Sequence, residues 1–320
     1  RWIGLGLRSI GVARGSRIAT IMANCPEWNF FDMGIQLAGA VAVPVYPTIS
    51  EVNYRHIFRD SELTHLILGN QAIYDRISSV LSEFPGIRHV WSIEPVTNIP
   101  SWTELVRAGQ QHPNPELLEE ICASIRPEDM ATIIYTSGTT GHPKGVMLSH
   151  HNFVTNYKAL AEIPPLEMND RVISFLPLCH VYERTAGYVY QSFGVSIHYL
   201  QNLEEIGDFI REVKPHGFAS VPRVFEKIYS KIVAKGRSLP LPMRVLFFWA
   251  LRQGHKFEPE HARGWFYDVK LFIANLLVFS KWRDALGGSL KFIVSGSASL
   301  HPRLARDRKS TRLNSSHGKL

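Results

Sequence analysis

Short runs rich in β-branched apolar residues alternate along this chain with longer stretches whose apolar residues recur at helical spacing. Residues 17–23, 41–45 and 64–69 have the length and composition of buried strands, and 27–40 and 51–61 between them have the 3.6-residue period of amphipathic helices. The alternation resumes with strands at 131–135 and 145–149, a helix at 152–162, and strands at 171–175 and 195–200. It continues with a helix at 204–213, a strand at 217–221, a helix at 223–234 and a strand at 290–295. Strands separated by helices are joined by crossovers, so the pattern predicts an α/β fold of layered, mostly parallel sheets flanked by helices. Ser101 and Glu104 have the spacing of a capping box, which predicts a helix running on toward Gln111 until the proline-rich stretch 112–115 ends it. No internal repeat or low-complexity tract interrupts the pattern.

Two regions depart from it. Residues 236–288 hold apolar, aromatic helical stretches at 243–251 and 265–282, and 307–320 (DRKSTRLNSSHGKL) lose apolar periodicity and read as polar coil. The chain has 320 residues, enough for one large or two fused α/β units. Its formal charge of +7 is unevenly placed: 235–283 carry nine Lys or Arg against three acids, 303–320 carry six against Asp307, and the rest is net −4. A mildly acidic body with two basic patches lacks the spread of cations and interleaved aromatics that a nucleic-acid groove needs. Cys25, Cys122 and Cys179 lie far apart and form no CxxC pair, which argues against a zinc site or a disulfide framework and for a reducing, cytoplasmic setting. The longest uncharged apolar run, 271–280, is well short of the ~18 residues of a membrane span. The simplest role for 236–288 is a helical layer packed on a sheet; the alternative is peripheral contact with an anionic membrane.

The chemistry concentrates in residues 131–150, ATIIYTSGTTGHPKGVMLSH: an apolar strand, a loop built almost wholly of Thr, Ser and Gly, a lysine and a second strand. Gly138, Gly141 and Gly145 allow backbone amides to approach phosphate oxygens closely, and Thr136, Ser137, Thr139 and Thr140 add hydroxyl donors without bulk. Lys144 supplies a flexible point charge. Composition alone would also suit a solvated hairpin loop, but the apolar strands on either side favour the phosphate reading. A Walker-type P-loop fails on spacing: Lys144 is followed by Gly145 where Ser or Thr is required, and a strand follows where that loop would open a helix.

The stretch YTSGTTGHPKGV (135–146) resembles the signature of the adenylate-forming superfamily of acyl-CoA synthetases, luciferases and peptide-synthetase adenylation domains. The resemblance implies the large N-terminal domain of such an enzyme, present in part over 1–306. It also implies a loop that embraces the β- and γ-phosphates of ATP while a carboxylate attacks the α-phosphate. FLPLCHVYER (175–184) is similar to a stretch of the long-chain acyl-CoA synthetases in which the position of His180 lines the acyl-substrate site. By its residues alone a lone histidine is more often structural. KFIVSGSASL (291–300) resembles the family's adenine-binding segment and implies Ser295, Gly296, Ser297 and Ala298 as its contacts, with Thr140 as the candidate for magnesium. Softer similarity to long-chain synthetases covers 17–306, including NCPEW at 24–28, VPVYPT at 43–48, VPR at 221–223 and FSKW at 279–282. Trp28 and Arg223 read most simply as packing and structural residues.

The resemblance implies ATP, Mg2+ and coenzyme A as the chemical partners, a long-chain fatty acid as substrate and acyl-CoA, pyrophosphate and AMP as products. The family carries an acidic magnesium ligand, a ribose-binding Asp and a catalytic Lys beyond the adenine segment, the last on a C-terminal domain. None follows Arg306 here, so the expectation is a fragment without certain catalytic residues, inactive by itself, whose 307–320 tail is foreign to the domain. Another carboxylate–CoA ligase of the superfamily, such as an aryl-acid ligase, and a non-catalytic nucleotide- or acyl-binding protein remain as alternatives.

Overall fold

The structure is a computed structural model and describes residues 1–136, 141–256 and 265–296. The 307–320 tail therefore lies outside the described residues. The chain divides into two compact units, 1–156 with 177–185 and 157–176 with 186 onward, as a chain of this length allows.

In the first unit α1 (Trp2–Ser9) precedes β1 (Arg17–Ile21), α2 (Pro26–Leu37), β2 (Val41–Pro44), α3 (Glu51–Asp60) and β3 (His65–Leu68). Then come α4 (Gln71–Leu81), β4 (His89–Ser92), α5 (Thr103–Gln111), α6 (Pro115–Ser124), β5 (Met130–Thr136) and β6 (Lys144–Ser149). The helices α7 (His150–Ala161) and α8 (Val181–Ser192) each contribute their first part to this unit and the remainder to the second. The sheet order is β4-β3-β1-β2-β5-β6; neighbours are parallel except that β6 runs antiparallel to β5 at the edge. Ile18, Ala19 and Ile21 of the central β1 are wholly buried. On one face Tyr54 and Phe58 of α3 and Ile77 of α4 close over Val43, Leu66 and Leu68.

Pattern and structure part company in several places. The helix α1 was masked by Gly4 and Gly6, poor helix formers. They serve close helix packing instead: a Cβ on Gly6 would lie 2.0 Å from the Leu105 carbonyl oxygen, and one on Gly109 would lie 2.1 Å from that of Trp2. The pattern reading also passed over α4, β4, α6 and α8. The expected capping box at Ser101 does not form, because Ser101 Oγ accepts the Thr103 amide at 3.3 Å and stays short of Glu104. A reciprocal pair of that kind does form at the start of α7: Asn152 Oδ1 accepts the Ser149 amide at 2.9 Å and Ser149 Oγ accepts the Asn152 amide at 3.3 Å.

The second unit is built on β7 (Arg171–Ser174), β8 (Ser196–Tyr199), β9 (Gly217–Ser220) and β10 (Phe292–Ser295), all parallel in the order β10-β9-β7-β8. Its helices are α9 (Ile206–Val213), α10 (Pro222–Arg237), α11 (Leu241–His255), α12 (Trp265–Ala274) and α13 (Ser280–Ala285), with a π-helical segment Asn275–Phe279 joining the last two. Phe247, Ala250 and Leu251 of α11 meet Ala274, Val278 and Phe279 in a local core, against which Tyr229, Ile232 and Val233 of α10 pack. The described part of 236–288 is thus a helical layer with a core of its own. At the N-terminal end of the sheet, Lys291 reaches both Asp170 oxygens at 3.0 Å, and His216 Nδ1 lies 3.4 Å from Asp170 Oδ1. Burial pushes the Asp170 carboxyl up, but the Glu167 amide, Lys291 and His216 outweigh it and hold the group below its usual value.

Candidate functional site

The hairpin of β5 and β6 carries the glycine- and hydroxyl-rich segment. Thr136 stands opposite Lys144 and Tyr135 opposite Gly145, so the last residue of one arm faces the first of the other. Thr136, Gly141 and Lys144 are exposed. Gly141 has φ +93°, a conformation that glycine adopts without a steric cost. A Cβ on Gly145 would lie 2.9 Å from Ile133 Cγ2 and 3.2 Å from Tyr135 Cζ, so the glycine lets the arms close on each other. Ser137, Gly138, Thr139 and Thr140 lie outside the described residues, and with them the candidate metal contact at Thr140. Among the described residues no group of three or more His, Cys, Asp or Glu could hold a metal ion. Side chains of α3 meet both arms: Tyr135 donates to Asp60 Oδ2 at 2.6 Å, and His56 Nε2 lies 2.8 Å from the Pro143 carbonyl. Burial, then the neighbouring Asp60, raises the Tyr135 hydroxyl above its ordinary value.

His180 lies in the same unit, exposed, directly before α8. Its Nδ1 accepts the Tyr182 amide at 3.4 Å, a local capping contact, and its carbonyl accepts the Arg184 amide at 3.2 Å. The segment before it is anchored by Asn24, whose Oδ1 accepts the Leu178 amide at 3.2 Å. Burial pushes the Cys179 thiol up to about 12, which keeps it protonated. Two residues stand out that the residue pattern did not single out. Arg184 is buried and donates to Asp32 of α2 through Nε at 3.2 Å and Nη2 at 2.5 Å. Its guanidinium lies 4.7 Å from the Phe153 ring centroid and 5.7 Å from that of Trp28. Trp28 is the buried packing residue that its apolar surroundings suggested. Asp32 follows it by one helical turn on the buried face of α2, the one signal in the sequence for a buried cation's partner.

In the second unit Ser295 ends β10 in register with Ser220 of β9, and the Gly296 amide donates to the Ser220 carbonyl at 3.1 Å. Ser297 and Ala298 lie outside the described residues. Ser295 Oγ and Ser220 Oγ are buried and have no hydrogen-bond partner among the described residues. Both stand at the carboxyl ends of parallel strands, where open α/β sheets place ligands. Strand periodicity puts Phe218 on the same face as Ser220 and Ile293 on the same face as Ser295. Phe218 and Ile293 also line a half-open cavity of about 550 Å³ bordered by α9, α10, α11 and α13. Its wall is apolar, with Ile210, Phe225, Ile232, Phe247 and Trp282, and Arg211, Lys231, Lys235 and Lys281 stand around it.

Comparison with known proteins gives these features a context. The family described as AMP-binding enzyme matches residues 2–313. A long-chain-fatty-acid–CoA ligase of Mycobacterium tuberculosis, FadD15, is 32% identical over 312 residues, which are 95% of this chain and 51% of that protein. The long-chain-fatty-acid–CoA ligase ACSBG2 of Xenopus laevis is 30% identical over 88% of this chain and 40% of its own length. The chain thus spans about half the length of the curated relatives it matches. Among solved structures, a long-chain-fatty-acid–CoA ligase from Archaeoglobus fulgidus, FadD1, superposes with a TM-score of 0.68 at 20% identity, covering 98% of this chain and 53% of that one. The N-terminal domain of FACL13 from Mycobacterium tuberculosis superposes with 0.64 at 20% identity, over 98% of this chain and 65% of its own. At such identities these structures establish the shared fold.

Proposed function

This chain belongs to the AMP-binding enzyme family, and from that premise we propose that it is the nucleotide-binding part of a ligase that activates long-chain fatty acids. The carboxylate attacks the α-phosphate of ATP, pyrophosphate leaves, and the acyl-adenylate passes its acyl group to coenzyme A with release of AMP. The observation that carries the reading is the β5–β6 hairpin, in which Thr136, Gly141 and Lys144 are exposed at the two ends of a sequence of glycines and hydroxyls. A triphosphate needs charge neutralisation and alignment more than covalent help, and backbone amides with a lysine supply both. Thr136, Gly141 and Lys144, with Ser137, Gly138, Thr139 and Thr140, are the phosphate contacts in this reading. Ser295, Gly296, Ser297 and Ala298 receive the adenine, and His180 borders the acyl site. Thr140 is the candidate contact for magnesium, which when bound would shield the charge of the phosphates. The cavity supports an acyl chain as the substrate: its 550 Å³ lies in the range of ligand pockets and its wall is apolar.

No helix among the described residues is long and apolar enough to cross a membrane. The outer face of α12 and the π segment is nonetheless apolar: Trp265, Phe266, Val269, Phe272, Leu276 and Leu277 are all exposed, at the i, i+3, i+4, i+7 spacing of one helical stripe. Arg244, Arg252, Lys256 and Lys270 are exposed on α11 and α12 or directly after them. Aromatic and aliphatic groups with cations alongside suit the headgroup region of an anionic membrane, from which a water-insoluble acid would be drawn.

The phosphate assignment is tested by calorimetric binding of ATP to the chain. Loss of a charge-assisted contact costs roughly 1.5–3 kcal/mol, so Lys144→Ala weakens binding by about tenfold or more. Gly141→Val, which forces a side chain into the left-handed conformation, weakens it as well. Equal affinity in both variants, or no binding by the unaltered chain, would remove the hairpin as the site.

A further inference from the structure

The hairpin is held at both arms by one helix that carries no recognisable motif. His56 and Asp60 of α3 are four residues apart and so lie on one helical face. Asp60 accepts a 2.6 Å hydrogen bond from the Tyr135 hydroxyl, and Tyr135 immediately precedes Thr136. His56 Nε2 lies 2.8 Å from the Pro143 carbonyl, which can only accept, so this nitrogen carries a proton; Pro143 immediately precedes Lys144. The same imidazole stacks on His142, with ring centroids 5.0 Å apart and planes at 27°, and meets the Tyr135 ring edge-on at 6.4 Å. We propose that α3 is a clamp that sets the mouth of the phosphate loop, with His56 and Asp60 as positioning residues for the polyphosphate of ATP. The proposal rests on the reading of the hairpin as the phosphate site.

Three observations make the clamp more than incidental packing. Proline has a fixed φ and no amide proton, so a bond that fixes the Pro143 carbonyl also fixes the plane of the Pro143–Lys144 peptide and the direction in which Lys144 leaves the chain. Among the described residues β6 is an edge strand with β5 as its one neighbour, and no second strand there holds the exit arm. The helix itself is firmly seated: Ser50 caps its first turn, Tyr54, Ile57 and Phe58 are buried beneath it, and Arg55 bonds Glu83 at 2.8 Å. A preorganised loop spends less of its binding energy on ordering when the triphosphate arrives.

Two variants isolate the bonds. His56→Phe keeps the ring against His142 and Tyr135 but cannot donate, and Tyr135→Phe keeps the ring over Gly145 but cannot reach Asp60. Calorimetry is expected to show ATP affinity reduced three- to tenfold in each and further in the pair, with AMP affinity unchanged, and His56→Gln, which restores a donor, recovering most of the loss. Without any nucleotide, hydrogen exchange of amides 141–146, Pro143 excepted, is expected to quicken about tenfold in both variants while β1 keeps its protection. Unchanged exchange in the hairpin would overturn the clamp, as would ATP and AMP affinities falling together. If Lys144→Ala and Gly141→Val weaken ATP but His56→Phe and Tyr135→Phe do not, the phosphate site stands and the clamp is wrong. If none of the four changes ATP affinity, the phosphate reading falls, and the exchange rates still decide whether α3 orders the hairpin.

Discussion

Arg184 places a full positive charge where water does not reach, and it persists because Asp32 answers it through two bonds and Phe153 covers it. Removing one partner of such a pair leaves the other buried without its counter-charge, which costs about 3–5 kcal/mol. Asp32→Asn is therefore expected to lower the urea unfolding free energy by that amount, whereas replacing Arg184 and Asp32 together by Met and Leu costs much less. A loss under about 1 kcal/mol for Asp32→Asn would show that the pair is solvated. His65 makes a different demand. It is buried on β3 beside the rings of its β4 neighbours, His89 at 5.6 Å and Trp91 at 6.1 Å, and burial, then His89 and Arg88, lowers its pKa to about 4. An unfolded histidine binds its proton near pH 6.5. The unfolded state therefore takes up the proton first as pH falls. The stability His65 contributes is complete above pH 6.5 and is lost between 6.5 and about 4, roughly 3 kcal/mol in all. Thermal melts across that window should show a smaller loss in His65→Phe than in the unaltered chain; parallel curves would exclude His65 as the source.

At the scale of elements, strands were the most legible feature because a short apolar run between turn residues marks a strand buried on both faces, as at 41–45 and 217–221, where every residue of β2 and β9 is buried. Helices whose faces are shaped by contact were not. The glycines of α1 and α5 lower helix propensity, yet the two backbones could not approach so closely with any larger residue at Gly6 or Gly109. At α8 the segment 175–184 draws attention as a motif, which hides the helix that begins within it. The layer formed by α11, α12 and α13 is apolar and basic in composition, but sequence alone does not divide its apolar residues between the local core and the exposed stripe of α12. That division gives a prediction. The chain should sediment with vesicles containing anionic phospholipid and far less with neutral ones, and Phe266→Ser with Phe272→Ser should abolish the binding while leaving the circular-dichroism melt unchanged. Equal, negligible sedimentation with both vesicles would return the stripe to the status of an ordinary helical surface.

For the molecule as a whole, the candidate site was legible as far as it lies in contiguous words of sequence. The β5–β6 hairpin and the end of β10 are each a strand whose sequence runs into small residues. What holds the hairpin was not legible, because His56 and Asp60 meet their partners across 87 and 75 residues of chain, and no local periodicity records such a meeting. The same is true of Asp32 with Arg184, 152 residues apart. The cavity beside β9 and β10 is assembled from four helices and two strands, so its volume exists only in the fold. The central claim is carboxylate activation by ATP, and pyrophosphate release tests it most directly. The assay contains ATP, magnesium and palmitate, with the chain alone and with the chain joined to the remaining half of a relative. The account predicts palmitate-dependent release by the joined protein, reduced on the order of 10²-fold or more by Lys144→Ala, and no measurable release by the chain alone. Release that ignores palmitate, or that survives Lys144→Ala undiminished, would contradict it.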